Sequence, residues 1–201
     1  MALITTGCAE LDEALDGGLP EGQITSVYSS IREFPVRRRL LCSISDANDS
    51  VFVDSSTETV RPRNGALWHP DIRSPVRTIL SGAGGASVVI VDPVEFDLEE
   101  EGNGLHSRRA QVIQRLMKNY ASLCREAGKT LVLGWTRVNR LPTGANFLSS
   151  CILHVKDEFT ISVEKRRDAP PKGEVRVNRL WHPSSNFDTE KSRFDIDIDI
   201  D

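Results

Sequence analysis

Ser87-Val88-Val89-Ile90-Val91-Asp92 is the stretch on which the fold turns. Four consecutive aliphatic residues leave no polar face, as expected of a central parallel strand covered by helices on both sides. Towards the N-terminus, Ile24 to Ser30 alternates, is rich in β-formers and ends in a polar turn, so it reads as a strand. Pro35 stands where a helix begins, since its missing N–H is not needed in a first turn. Leu40, Leu41 and Ile44 give that helix its apolar stripe. A second strand, Ser50 to Asp54, follows the turn cluster Asp46, Asn48 and Asp49. Pro62 to Pro75 is irregular, with a short strand near Ala66-Leu67-Trp68, and a brief helix leads to the glycine break at Gly82 to Gly85.

Towards the C-terminus, Leu105 to Ala127 carries Ile113, Leu116, Met117, Tyr120, Leu123 and Cys124 at helical spacing, and Gly128 stops it. Thr130 to Val138 is a further buried strand. Cys151 to Val155, Phe159 to Val163 and Val175 to Leu180 then read as short strands joined by turns. The early strand–helix alternation and the closing run of strands predict an α/β fold. Its sheet is twisted and mainly parallel, flanked by helices, with antiparallel strands at the C-terminal edge. One core domain, residues 1–183, is followed by an alternating acidic tail, residues 184–201.

Composition narrows the function classes. Of 201 residues, 39% are hydrophobic and 27% charged, enough for a core and too balanced for wholesale disorder. No apolar run approaches the roughly 20 residues that span a bilayer, and Met1-Ala2-Leu3 opens no signal peptide. No membrane association is expected. The four cysteines (Cys8, Cys42, Cys124, Cys151) form no CxxC pair, which fits small core residues in a reducing cytoplasm and no metal. A formal charge of −4 gives no general attraction to nucleic acid, so any such contact must use a local basic patch.

The order of the pieces resembles a known family. Ile4-Thr5-Thr6-Gly7-Cys8-Ala9-Glu10-Leu11-Asp12, then Gly17-Gly18-Leu19-Pro20-Glu21-Gly22, resembles the opening of the RecA/RadA recombinase core. Val51 to Asp54 followed by Thr59-Val60-Arg61-Pro62 resembles that family's second strand and its Thr-Phe-Arg-Pro turn. Val88 to Asp92 resembles the Walker B strand, and Pro170-Pro171-Lys172-Gly173-Glu174 the turn between the last two strands. In length the chain is similar to the shorter RadB-type paralogs. The resemblance implies a RecA-like core and a place in recombination, repair or replication.

A working phosphate loop, GxxxxGK[ST], uses glycines to wrap the phosphates, Lys for charge and Ser/Thr for Mg²⁺. After Tyr28 this chain reads Ser29-Ser30-Ile31-Arg32-Glu33-Phe34-Pro35-Val36, with no glycine. Pro35 falls where the Lys belongs and Val36 replaces the hydroxyl. Ser29, Arg32, Phe34, Pro35 and Val36 thus mark a vestigial Walker A region, and Asp92 a vestigial Walker B. Glu58 is the one candidate for the family's water-activating Glu, two residues late, against a solvated turn acid. Arg137 stands where the family has a phosphate-sensing Gln. These losses predict a pseudo-ATPase with no catalytic residues and no cofactor.

The family grips DNA with two loops. Here Glu95 to Gly104 carries five acids in seven residues and would repel phosphate, whereas Arg137 and Arg140 could contact it from the second loop. Arg37, Arg38 and Arg39 sit in the first turn of a helix, where the dipole disfavours cations. That cost points to a nearby anion or carboxylate, with a solvated face as the competing reading. Lys165 to Arg167 reads as a solvated edge. Leu67-Trp68-His69-Pro70 recurs as Leu180-Trp181-His182-Pro183, read as coincident strand-then-turn chemistry. In the tail, Phe194, Ile196, Ile198 and Ile200 alternate with four Asp, as a solvating tail or as an added edge strand contacting a partner.

The expectation is a non-catalytic RecA/RadA-like paralog acting through protein contacts with a recombinase or another replication or repair protein. Homo-oligomers and weak DNA contact are compatible with it. A DNA-binding accessory module using Arg37–Arg39 and the Arg137/Arg140 loop is one alternative. A divergent NTPase with a rebuilt nucleotide site is the other.

Overall fold

In the computed structural model, the residues described are 3–54, 56, 60–63, 67–68, 73–83, 85–94, 105–137, 141–166 and 169–178. The elements in chain order are β1 (Leu3–Ile4), α1 (Ala9–Ala14), β2 (Leu19–Pro20), β3 (Ile24–Ser29), α2 (Phe34–Asp46), β4 (Ser50–Asp54), β5 (Leu67–Trp68) and α3 (Arg73–Thr78), which runs on through a distorted turn at Ile79–Ala83. They continue with β6 (Val88–Asp92), α4 (Leu105–Ala127), β7 (Thr130–Thr136), α5 (Thr143–Leu148), β8 (Cys151–Val155), β9 (Thr160–Lys165) and β10 (Gly173–Arg176).

Eight strands form one sheet in the order β10-β9-β8-β3-β7-β6-β4-β5. The six from β8 to β5 run parallel, and β9 and β10 are added antiparallel. β6 is an interior strand between β7 and β4, and Val88 to Val91 are all fully buried, as an all-apolar strand between two helical layers must be. One layer holds Leu11 of α1 and Leu40, Leu41 and Ile44 of α2, packed on Val27, Ile90 and Val132. The other holds Val76 and Leu80 with Ile113, Met117, Tyr120 and Cys124 of α4, packed on Val89, Leu131 and Leu133.

The helix expected at 105–127 is found with those bounds. The last strand is placed differently. Val175 to Leu180 was expected, but β10 spans Gly173–Arg176, pairing Gly173 with Val163 and Arg176 with Thr160. The register is set by the partner strand β9 rather than by the apolar spacing of this segment. The small β1–β2 pair is short enough to leave no periodic signal. It explains the glycines of the opening: Gly18 has φ +135°, and a side chain there would run into the Ile4 carbonyl across the pair. Asp12 holds the intervening turn, accepting from Thr5 Oγ1 at 2.5 Å and from the Thr6 N–H at 2.7 Å.

Candidate functional site

Strand β3 feeds α2 on one face of the sheet, while its neighbour β7 feeds α5 on the other. The connections diverge there, at the carboxyl ends of the strands, the position where open α/β sheets place a ligand crevice. Four strand-end residues form a row across it: Ser29 of β3, Thr136 of β7, Asp92 of β6 and Asp54 of β4. Ser29 is in register with Thr136, and Asp54 with Asp92.

The crevice is filled by two arginines from α2. Arg37 and Arg38 follow Phe34 by three and four residues and precede Leu41 by four and three, so the helical period turns them onto the sheet-facing side. Both are 0% exposed. Arg37 Nη2 donates to Asp92 Oδ1 at 2.7 Å, and Nη1 to Thr136 Oγ1 at 3.2 Å and Ser29 Oγ at 3.4 Å. Arg38 Nη2 donates to Asp54 Oδ2 at 2.5 Å and Nη1 to Asp92 Oδ2 at 3.1 Å. Its Nε donates to the Val60 carbonyl at 2.8 Å. Each guanidinium also lies over a ring, Arg37 at 4.7 Å from the centroid of Phe34 and Arg38 at 4.5 Å from that of Phe52. Asp54 Oδ1 accepts from the Ser56 N–H and hydroxyl, both at 2.8 Å.

Two guanidinium cations thus meet two carboxylates, and the cluster is formally neutral. Burial pushes the Asp92 carboxyl above its ordinary value, and Arg37 and Arg38 pull it only partly back. Burial works against the Arg38 cation, but Asp54 and Asp92 more than restore it and hold its pKa above the ordinary value. A residue without a side chain makes room for Asp92: a Cβ on Gly134 of β7 would collide with Asp92 Oδ1 and lie 2.9 Å from Leu41 Cδ1.

The loop between β3 and α2 is equally closed. The Arg32 N–H donates to Ser30 Oγ at 3.1 Å, the Phe34 N–H to the Ile31 carbonyl at 3.4 Å, and the Val36 and Arg37 N–H groups to the Glu33 carbonyl at 3.1 and 3.0 Å. Ser30 Oγ donates to Glu33 Oε2. Pro35 has no N–H, so at this helix start the Phe34, Val36 and Arg37 amides are bonded internally and the one at 35 is missing.

Of the arginines expected as anion contacts, Arg37 and Arg38 are corrected by their burial. Arg37 and Arg38 are spent on Asp92 and Asp54, and the carboxylates that answer the adverse helix dipole are the protein's own. Arg39 is half-buried and pairs with Glu158 at 3.0 Å. Arg137 is half-buried, its N–H donating to the Ser29 carbonyl at 2.7 Å and its Nη1 to the Thr136 carbonyl at 2.8 Å. Lys165 is also corrected. Its Nζ donates to the carbonyls of Asn146 and Phe147 near the end of α5, and Arg166 pairs with Asp16. Glu58, Arg140, Arg167, the acidic segment 95–104, both Trp-His-Pro turns, and the tail residues Phe194, Ile196, Ile198 and Ile200 lie outside the described residues.

A second cluster, absent from the sequence reading, sits on the α4/α5 face. Tyr28 OH donates to Glu164 Oε1 at 2.6 Å, and His154 stacks on Tyr28 at 4.2 Å with Nδ1 3.3 Å from the same oxygen. Burial and then Glu164 push the Tyr28 phenol above its ordinary value, so it is no activated nucleophile. Its signal was available only as the pairing of β3 with β8, which places Tyr28 opposite His154. Among the described residues no group of His, Cys, Asp and Glu has the arrangement of a metal site, and no helix is long and apolar enough to cross a membrane.

No protein-family model matches the chain, and no curated protein sequence matches it. The description that stands is structural: an α/β protein with a mostly parallel sheet whose strand-end crevice is filled by its own arginines.

Proposed function

We propose that this chain is a non-catalytic RecA/RadA-like paralog, a pseudo-ATPase that acts through protein contacts as an accessory or assembly subunit in recombination, repair or replication. The observation that carries the reading is the filled crevice. Two internal cations neutralise the two carboxylates at the strand ends, leaving no net charge for Mg²⁺. The Arg32, Phe34, Val36 and Arg37 N–H groups bond within the loop and are not offered to a triphosphate. The family assignment rests on the motif order in the sequence.

The alternatives have less behind them. A DNA-binding module loses Arg37 and Arg38, the centre of its basic patch, to burial. A rebuilt NTPase would need the same two side chains to leave carboxylates that they bond directly. Calorimetric titration with Mg·ATP tests the reading: no saturable heat is expected, and micromolar binding would overturn it. Affinity capture from the native host, read by mass spectrometry, tests the partner class. A recombination or replication protein is expected; partners confined to other processes would remove that part of the reading.

A further inference from the structure

On the face opposite α2, the start of β3 together with α4 and α5 borders an open groove of about 920 Å³. Half-buried Ala121 and Leu148 give it an apolar lining, and Phe147 stands beside them 80% exposed. Lys118 and Arg125, seven residues apart on one side of α4, bring two exposed cations to the same groove. Neither takes part in an ion pair among the described residues. Glu21 is its one acidic lining residue.

We infer that this groove receives the chain's own C-terminal segment, Phe194 to Asp201. In an extended conformation that segment carries Phe194 and three Ile on one side and four Asp on the other. Its apolar side matches Ala121, Phe147 and Leu148, and its acidic side matches Lys118 and Arg125. The span is adequate. The last described residue, Asn178, donates its N–H to Glu10 Oε1 beside the β10 edge. Residues 179–193 reach about 50 Å when extended. The groove lies three strands inward, about 15 Å, and about 25 Å back along the strands from the carboxyl end of β10 to the start of β3. Across a packed layer of about 10 Å, the straight-line separation is about 30 Å. A tether of this kind supplies an effective concentration of about millimolar, so a weak site is enough.

The sheet edge is the poorer host because most of its described cations are committed, leaving Arg176 as the exposed one without an ion pair among the described residues. Arg166 and Lys172 pair with Asp16, Lys156 with Glu174, and Lys165 with two carbonyls. This inference does not rest on the proposed function and survives or fails independently of it.

A nitroxide on the full-length Asp201→Cys variant tests it. The four native thiols are buried and held at pKa values of about 11 or 12, so the added thiol alone is labelled at neutral pH. The expected result is paramagnetic broadening of the amides of residues 118–125 and 147–150, unchanged on tenfold dilution. Adding Lys118→Glu with Arg125→Glu should abolish it while leaving the melting temperature in place, since both side chains are exposed. Four outcomes would overturn the inference: no broadening, broadening centred on β10, broadening that falls on dilution and so reports a second copy, or broadening that survives the double reversal.

Discussion

Arg37 Nη2 lies 2.7 Å from Asp92 Oδ1, with neither side chain exposed to solvent, although 55 residues separate them in the chain. With Arg38 and Asp54 the pair forms a neutral cluster beneath the first turns of α2. Each cation near a helix start works against the dipole by about 0.3–1 kcal/mol. The carboxylates of β6 and β4 outweigh that cost, because removing either would strand a guanidinium away from water.

Breaking this cluster should be expensive. Asp92→Asn or Arg38→Ala leaves a buried charge short of its partner and should lower stability by about 3–5 kcal/mol. Arg39→Ala, which removes only the half-exposed pair with Glu158, should cost less than about 1 kcal/mol. Urea denaturation midpoints at constant m-value distinguish the two classes. Equal effects at positions 38 and 39 would refute the buried arrangement.

Gly134→Ala should behave as an overpacking mutation. Its Cβ would meet Asp92 Oδ1 and crowd Leu41, so a loss of about 1–3 kcal/mol is expected. Gly85→Ala, where the same Cβ meets nothing within 4 Å, serves as the control and should leave thermal unfolding nearly unchanged.

Alkaline pH should destabilise the fold through its thiols. Burial pushes Cys42, Cys124 and Cys151 to about 12, and Cys8 to about 11, from an ordinary 9.0. Above pH 9 the unfolded chain releases these protons while the folded chain keeps them. The contribution is therefore complete below pH 9 and is lost as pH rises towards 12, by about 1.4 kcal/mol per pH unit for each thiol. Unfolding curves at pH 8 and pH 10 measure the drop, and Cys124→Ala should make it shallower.

Lys165→Met keeps the apolar stem but removes the donor to the carbonyls of Asn146 and Phe147. A loss of about 1 kcal/mol is expected, with faster hydrogen exchange confined to α5. An unchanged α5 would show that the contact does not hold the helix.

Most of the fold was legible because burial leaves a mark on residue type. The strand at 88–92 is aliphatic throughout since both its faces are covered, and α4 keeps its period because one face packs on β6 and β7. The site was legible only in part. The missing glycines and the Pro35 and Val36 replacements are local facts of the loop. The burial of Arg37 and Arg38 was also foreshadowed, since they fall three and four residues after Phe34, but a charge cluster ordinarily signals an exposed face.

By itself the sequence determined the element types, the mainly parallel sheet, and a loop between β3 and α2 without the glycines, Lys and hydroxyl that hold phosphate, since all three depend on local conformational preference and on residue type. Tertiary structure alone decided where the charges went. Asp54 and Asp92 become neighbours only because β4 pairs with β6 in register. Arg37 and Arg38 reach them only because α2 crosses the ends of those strands. Opposite charges can share a buried space when chain segments distant in sequence bring each one its partner, and that pairing is set by topology rather than by any single stretch of residues.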